Sequence, residues 1–303
     1  MPKRGTREFW REGRRARGFS FTDFLHGYVY ARWPYAYIGL ATGERKLPAS
    51  LQAMITWLGR RITGGGEDNG RQWAETYHGK VVPTEAAERL VTLDEPVTLR
   101  GLEQIIPFRT AQDIILKDPD HIVALECPCR AEREDPCLPM DVCLIVGEPF
   151  AGFIMDHHPK RARWISQEEA VDILRQERDR GHVHHAFFKD AMLNRFYAIC
   201  NCCDCCCGAM HAHRNGTPML IASGYLSHVR DEACVGCGAC AEICPFDAIQ
   251  IENGRARIDE AACMGCGVCV PACPKEALRL ERAPDKGVPL EMQDLLTTHA
   301  NRS

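Results

Sequence analysis

Between Phe19 and Tyr37 the aromatic residues Phe19, Phe21, Phe24, Tyr28, Tyr30, Trp33, Tyr35 and Tyr37 recur at roughly helical spacing. The helix they predict stops at Trp33-Pro34, because a proline ring crowds the residue before it out of the helical conformation. A second helical stretch spans about 49–62, and T-G-G-G-E-D-N-G at Thr63–Gly70 breaks it. Residues 84–117 read as mainly helical. Ile122–Leu125 reads as a short strand running straight into E-C-P-C-R. Ser166 and Glu169 form an S-x-x-E capping box for a helix to about Arg180, closed at Gly181. Residues 187–199 read as a further helix. It delivers the chain into C-N-C-C-D-C-C-C-G at Cys200–Gly208. In A-I-Q-I-E-N-G-R-A-R-I-D two alternating segments flank Asn253-Gly254, which predicts two short strands joined by a tight hairpin. The expected fold is α+β: a mainly helical, cysteine-rich N-terminal domain followed by a small module.

Composition narrows the class. The 303 residues suffice for two ordinary domains, with 45% hydrophobic and 26% charged residues, as in soluble globular proteins. A net charge of -4 gives no argument for nucleic acid, and none is expected as a partner. Lys3, Arg4, Arg7, Arg11, Arg14, Arg15 and Arg17 make residues 1–20 basic. They read as a solvated or flexible arm, with an acidic partner surface or anionic lipid as the sharper alternative. The aromatic segment behind them reads as core packing, or as an interfacial or partner-docking helix. No run of 18 apolar residues predicts a membrane span. The segment after Arg14-Arg15 carries Asp23, His26 and Arg32 and is no export signal, so the expected location is cytoplasmic. The 18 cysteines have metal-ligand spacings, not those of a disulfide framework.

The strongest motif is C-V-G-C-G-A-C-A-E-I-C-P (Cys234–Pro245), repeated 29 residues later as C-M-G-C-G-V-C-V-P-A-C-P (Cys263–Pro274). Both fit C-x2-C-x2-C-x3-C-P. Three cysteines two residues apart let a short loop wrap three corners of a [4Fe–4S] cube, and the glycines between them permit the tight turns. The fourth, before proline, ligates the other cluster of the pair. Cluster one is therefore assigned to Cys234, Cys237, Cys240 and Cys273, and cluster two to Cys263, Cys266, Cys269 and Cys244. With the hairpin between the repeats, residues 225–284 resemble bacterial-type dicluster ferredoxins. The resemblance implies one-electron transfer with a redox partner protein.

Ten further cysteines lie upstream: Cys127, Cys129, Cys137 and Cys143, then Cys200, Cys202, Cys203, Cys205, Cys206 and Cys207. A helical run would put Cys200, Cys203 and Cys207 on one face and Cys202, Cys205 and Cys206 on another. An extended run would turn alternate residues to opposite sides. Either way, adjacent cysteines suit two neighbouring metal sites better than one iron. One cube leaves six thiols over and two cubes leave two, so a cluster with more ligands stays open. Further iron–sulfur is the expectation; structural zinc and metal-free thiols are the alternatives. Residues 78–285, with C-P-C-R and C-N-C-C-D-C-C-C-G, resemble 4Fe–4S ferredoxin-type proteins of anaerobes. That group brings metal binding and redox work, but no assigned substrate.

His157, His158, His182, His184, His185, His211 and His213 are ligand or proton-transfer candidates, each set against an ordinary packing role. Arg130 is an anion-binding candidate set against a plain surface arginine. Walker, Rossmann, radical-SAM, G-x-S-x-G and H-E-x-x-H signatures are absent from the sequence. The layout expected is a basic and aromatic arm (1–48), a cysteine-rich metal-binding domain (49–224), the two-cluster module (225–285) and a tail (286–303). The leading function is electron transfer. The alternatives are a reductase acting on a small substrate at an unusual upstream cluster, and a metal or cluster carrier.

Overall fold

The computed structural model describes residues 2–16, 18–45 and 69–300. The helix expected over 49–62 and the glycine loop up to residue 68 lie outside the described residues. Helices α1 (Arg4–Gly13), α2 (Phe21–Arg32), α3 (Pro34–Ala41) and α4 (Asn69–Thr76) lead into β1 (Tyr77–Val81). Then come α5 (Thr84–Val91), β2 (Val97–Leu99), the long β3 (Ile114–Leu125), α6 (Pro128–Ala131), β4 (Cys143–Glu148), α7 (Phe150–His157), β5 (Ala162–Ile165) and α8 (Gln167–Asp179). The hairpin of β6 (Val183–Lys189) and β7 (Arg195–Cys202) follows, then α9 (Gly208–Arg214) and β8 (Leu220–Ile221). The C-terminal part holds β9 (Tyr225–Val229), α10 (Ala239–Glu242), β10 (Ile249–Glu252), β11 (Arg255–Ile258), β12 (Leu278–Arg282) and α11 (Met292–Ala300).

The upstream region is not mainly helical. An eight-stranded sheet runs through it in the order β2-β3-β4-β7-β6-β1-β8, with β5 beside β3. Every pairing is antiparallel except β1 with β8. The helix expected over 187–199 is instead the end of β6, a 3-10 turn at Asp190–Met192 and most of β7. These strands are covered on both faces, so V-H-H-A-F-F-K and R-F-Y-A-I-C show no apolar–polar alternation. Over 84–117 only Thr84–Val91 is helical. Buried Leu102, Ile105 and Ile106 mimic helical spacing from an irregular turn.

Period two in β3 divides the core. Val123 and Leu125 face Phe150, Phe153, Phe187 and Tyr197 on one side; Ile122 and Ala124 face Leu90, Leu174, Phe188 and Phe196 on the other. The basic N-terminal segment is no free arm. Phe9 of α1 is fully buried and meets Phe150 and Phe153 edge-on at 5.8 and 5.7 Å. Helix α2 starts at a Ser20–Asp23 capping box and ends before Pro34, which opens α3. Its Gly27, Tyr30 and Ala31 are buried, whereas Phe21, Leu25, Val29 and Trp33 stay exposed at four-residue spacing. Ser166 caps α8 by accepting the Glu169 N–H, and Gly181 follows the helix at φ +81°. The Glu169 carboxylate pairs with Arg163. No described helix is long and apolar enough to cross a membrane.

The C-terminal module is fastened to the sheet domain by polar contacts. Ser223 donates its N–H to the Met264 carbonyl and its hydroxyl to Gly265 O at 2.7 Å. Arg214 reaches Pro245 O at 2.9 Å. Buried Lys80 donates to Ala222 O and Val288 O at 2.6 and 2.8 Å, and burial with nearby Arg282 brings its pKa down to about 7.

Candidate metal centre

Asn253 and Gly254 join β10 to β11 with φ of +50° and +71°, the left-handed pair that a two-residue hairpin demands. At Gly265 (φ +66°) a Cβ would stand 2.1 Å from Tyr225 O, so only glycine lets this loop lie on β9. The folded loops gather the expected sets. Cys234, Cys237, Cys240 and Cys273 line one cavity with Val229, Ala256 and Leu278. Cys244, Cys263 and Cys269 lie close enough to Cys266 to raise its pKa, although burial is the larger cause. Backbone N–H groups point at the sulfurs: Ala256 to Cys234 and Ala248 to Cys244 at 3.4 Å, and Ala277 to Cys273 at 3.3 Å. Ser227 Oγ lies 3.3 Å from Cys269 Sγ. In both repeats the cysteine before proline accepts from the residue four positions on, which is the duplication expressed in hydrogen bonds. Donors aimed at sulfur stabilise thiolate, so these residues fit the two clusters assigned to them.

The upstream thiols are brought together by strand ends. β3 runs into Cys127, and α6 carries Cys129 and Arg130. Cys143 opens β4; Cys200 and Cys202 close β7; Cys207 immediately precedes α9. The cysteine run is thus extended to Cys202 and then turns, so the helical grouping of its faces does not hold. Cys143 and Cys200 are direct partners in the β4–β7 register, with sulfurs 3.6 Å apart. Asn201 faces the other way. Its Nδ2 donates to Val142 O at 2.8 Å and its Oδ1 accepts from His184 Nδ1 at 2.6 Å.

Six of these cysteines, Cys127, Cys129, Cys143, Cys200, Cys202 and Cys207, line one apolar cavity together with Tyr30, Tyr77 and Tyr197. Contact with Cys129 and burial push the Cys127 thiol well up; contact with Cys143 and burial do the same to Cys200. Crowded thiols resist ionising together, and a bound cation reverses that resistance. The other four, Cys137, Cys203, Cys205 and Cys206, form a separate group nearer the surface, with Cys203 at the seam lining the cavity as well. The adjacent pairs Cys202/Cys203 and Cys206/Cys207 are each split between the two groups, but the adjacent Cys205 and Cys206 share the outer one, against the expectation that neighbours serve different sites.

Arg130 is not a surface residue. It is buried at 1% exposure, pairs with Glu177 at 2.6 Å, and donates to the carbonyls of Pro139 and Asn201. Burial works against the guanidinium charge, but Glu177 and the nearby Cys127 and Cys203 thiols favour it and raise its pKa. Most of the candidate histidines have structural partners: His157 with Thr6, His158 with Ala31 O, His182 with Glu177, His184 with Asn201 and His211 with Asp204 O. His185 and His213 differ. Both ring nitrogens of His185 and the Nδ1 of His213 are buried without a hydrogen-bond partner among the described residues. Burial, with His184 and His213 close by, lowers His185 to about 3.

The sequence reading passed over Glu177, Asn201, Lys189 and the tyrosine wall. Tyr30 and Tyr197 share a hydroxyl contact of 2.6 Å. Lys189 Nζ sits 4.9 Å from both the Tyr30 and Tyr77 ring centroids, and burial lowers its pKa to about 8. Its one signal was a lysine ending an apolar run, A-F-F-K.

The family of 4Fe-4S dicluster domains matches residues 233–277, so the C-terminal module is a dicluster ferredoxin domain. Over 33 residues, 11% of this chain, it is 39% identical to Ferredoxin-2 of Desulfomicrobium norvegicum. The match spans 56% of that relative's length. No solved structure matches the chain.

Proposed function

We propose that this is an iron–sulfur electron-transfer protein in which the C-terminal module holds two [4Fe–4S] clusters and the upstream thiols hold further iron–sulfur. The observation that carries the upstream part is the convergence of Cys127, Cys129, Cys143, Cys200, Cys202 and Cys207, from separate segments, on one buried apolar cavity. Six thiolates exceed the four that one cube takes. An iron–sulfur centre with more than four thiolate ligands would use all six. Bound iron–sulfur supplies one-electron redox capacity at these thiolates. The chain's own groups supply the setting. Tyr30, Tyr77 and Tyr197 exclude water, and Arg130 places a positive charge beside Cys127 and Cys203. Met264 and Cys266 pack into the same core as Cys202 and Cys207, whereas Cys237 and Val235 are exposed. A redox partner would therefore dock over Val235 and Cys237.

Iron and acid-labile sulfide counted on protein purified without oxygen test this reading. Clearly more than about eight irons per chain, the load of two cubes, is expected. A count of about eight would confine iron–sulfur to the module and reject the upstream part.

One observation favours a reductase as the second reading. An open cleft beside the cavity is lined by Cys129, Tyr37, Tyr77, Lys189 and His211. A small anion could meet Lys189 there. Cyanide added to the reduced protein would then change the EPR spectrum, and an unchanged spectrum would count against an accessible iron.

A further inference from the structure

The outer thiol group differs in kind from the other cysteine sets. The sulfurs of Cys137, Cys203, Cys205 and Cys206 all lie within 4.8 Å of one another. Cys205 Sγ stands 2.8 Å from Cys137 Sγ and 3.6 Å from Cys206 Sγ. A tetrahedral ion with metal–sulfur bonds of about 2.3 Å holds its four sulfurs about 3.8 Å apart. A four-iron cube places its irons between the thiolates and spreads them wider. The chain carries its own comparison. Neither ferredoxin set, nor the six inner thiols, has three sulfurs so close together among the described residues.

The surroundings favour a tetrathiolate. Binding a divalent ion releases four thiol protons and leaves a net charge of about −2 on the site. The Cys137 N–H points at Cys206 Sγ at 3.5 Å. Arg133 donates to Cys206 O at 3.2 and 3.3 Å, and Arg130 lies near Cys203.

We infer that Cys137, Cys203, Cys205 and Cys206 bind one tetrahedral divalent ion, zinc or a single iron, at a site separate from the inner cavity. The ion ties the loop that carries Cys137 to the turn at 203–207. It thereby holds the inner ligands Cys202 and Cys207 through their bonded neighbours Cys203 and Cys206. The inference deepens the reading of the upstream thiols as metal ligands, but it does not depend on iron in the cavity.

The test compares full-length protein with a Cys137→Ser/Cys205→Ser variant, both purified without oxygen. The variant should lose one ion per chain and no acid-labile sulfide, since a lone ion carries none. Zinc and iron arms separate by metal analysis and by a high-spin ferric EPR signal on oxidation. Should the variant misfold, X-ray absorption on the unaltered protein serves instead: zinc ringed by four sulfurs at about 2.3 Å, or one iron per chain giving the high-spin signal, supports the site. Loss of about four irons with four sulfides, loss of no metal, or a Cys137–Cys205 disulfide in the purified protein overturns it. One ion lost from a protein holding only eight irons besides that ion would uphold this site and reject upstream iron–sulfur. No ion lost from a protein holding more than eight irons would do the reverse.

Discussion

Cys143 and Cys200 sit directly opposite each other in the β4–β7 ladder, with their sulfurs 3.6 Å apart. Backbone hydrogen bonds between two central strands thus set the spacing of two thiols on the cavity wall. A one-residue slip of either strand would turn its thiol to the opposite face and part the two. Cys143→Ala should therefore lower upstream iron while leaving the module's own load of about eight irons intact. Metal analysis and the EPR signals of the reduced module check this, and equal iron in variant and parent would speak against a ligand role.

Glu177→Gln should destabilise the fold by about 3–5 kcal/mol, because it leaves the buried Arg130 guanidinium uncompensated. Denaturant titration measures it. The parent should also show an acid dependence that the variant lacks. Burial alone would raise the Glu177 pKa, but His182 and Arg130 outweigh it and hold the carboxyl below its ordinary value. The stability it contributes is complete above the unfolded-state value of about 4.3, and is lost as pH falls through the lower folded-state value.

Lys80 predicts a slope of the same sign in a higher pH window. Its folded pKa of about 7 lies below the unfolded value of about 10.4. Between these the unfolded chain binds the additional proton, so stability rises with pH across that window. Lys80→Met should flatten the rise, seen as the difference between parent and variant melting temperatures at about pH 7 and pH 9.5. Parallel curves would show that the amine is charged in the folded protein.

Gly265→Ala should strip the module of one cluster's iron, since the new Cβ would meet Tyr225 O at 2.1 Å and lift the loop carrying Cys263, Cys266 and Cys269. Gly254→Ala serves as the comparison. It meets nothing within 4 Å and should cost only about 1–2 kcal/mol for its left-handed backbone. Iron retained in both variants would mean that the loop tolerates the shift.

The ferredoxin module was legible because its determinants are local. Cysteines two or three residues apart, glycines at the turns and Asn253-Gly254 all act within a dozen residues, where covalent spacing already restricts geometry. The C-terminal end of α2 was legible for the same reason: a proline acts on its neighbour. β6 and β7 were not. Strands buried on both faces lose the alternation that marks a strand, and only helices packed on either side of the sheet reveal them.

The sequence by itself determined that this chain carries eight thiols in dicluster spacing and ten more upstream of them. It did not determine how those ten divide. Cys143 meets Cys200 through strand register, and Cys137 meets Cys205 through a loop folding back across 68 residues. Arg130 meets Glu177 only because α8 covers the sheet. Such contacts depend on cooperative burial of distant segments, which no local spacing encodes. The split into six inner and four outer thiols is therefore a product of the tertiary structure.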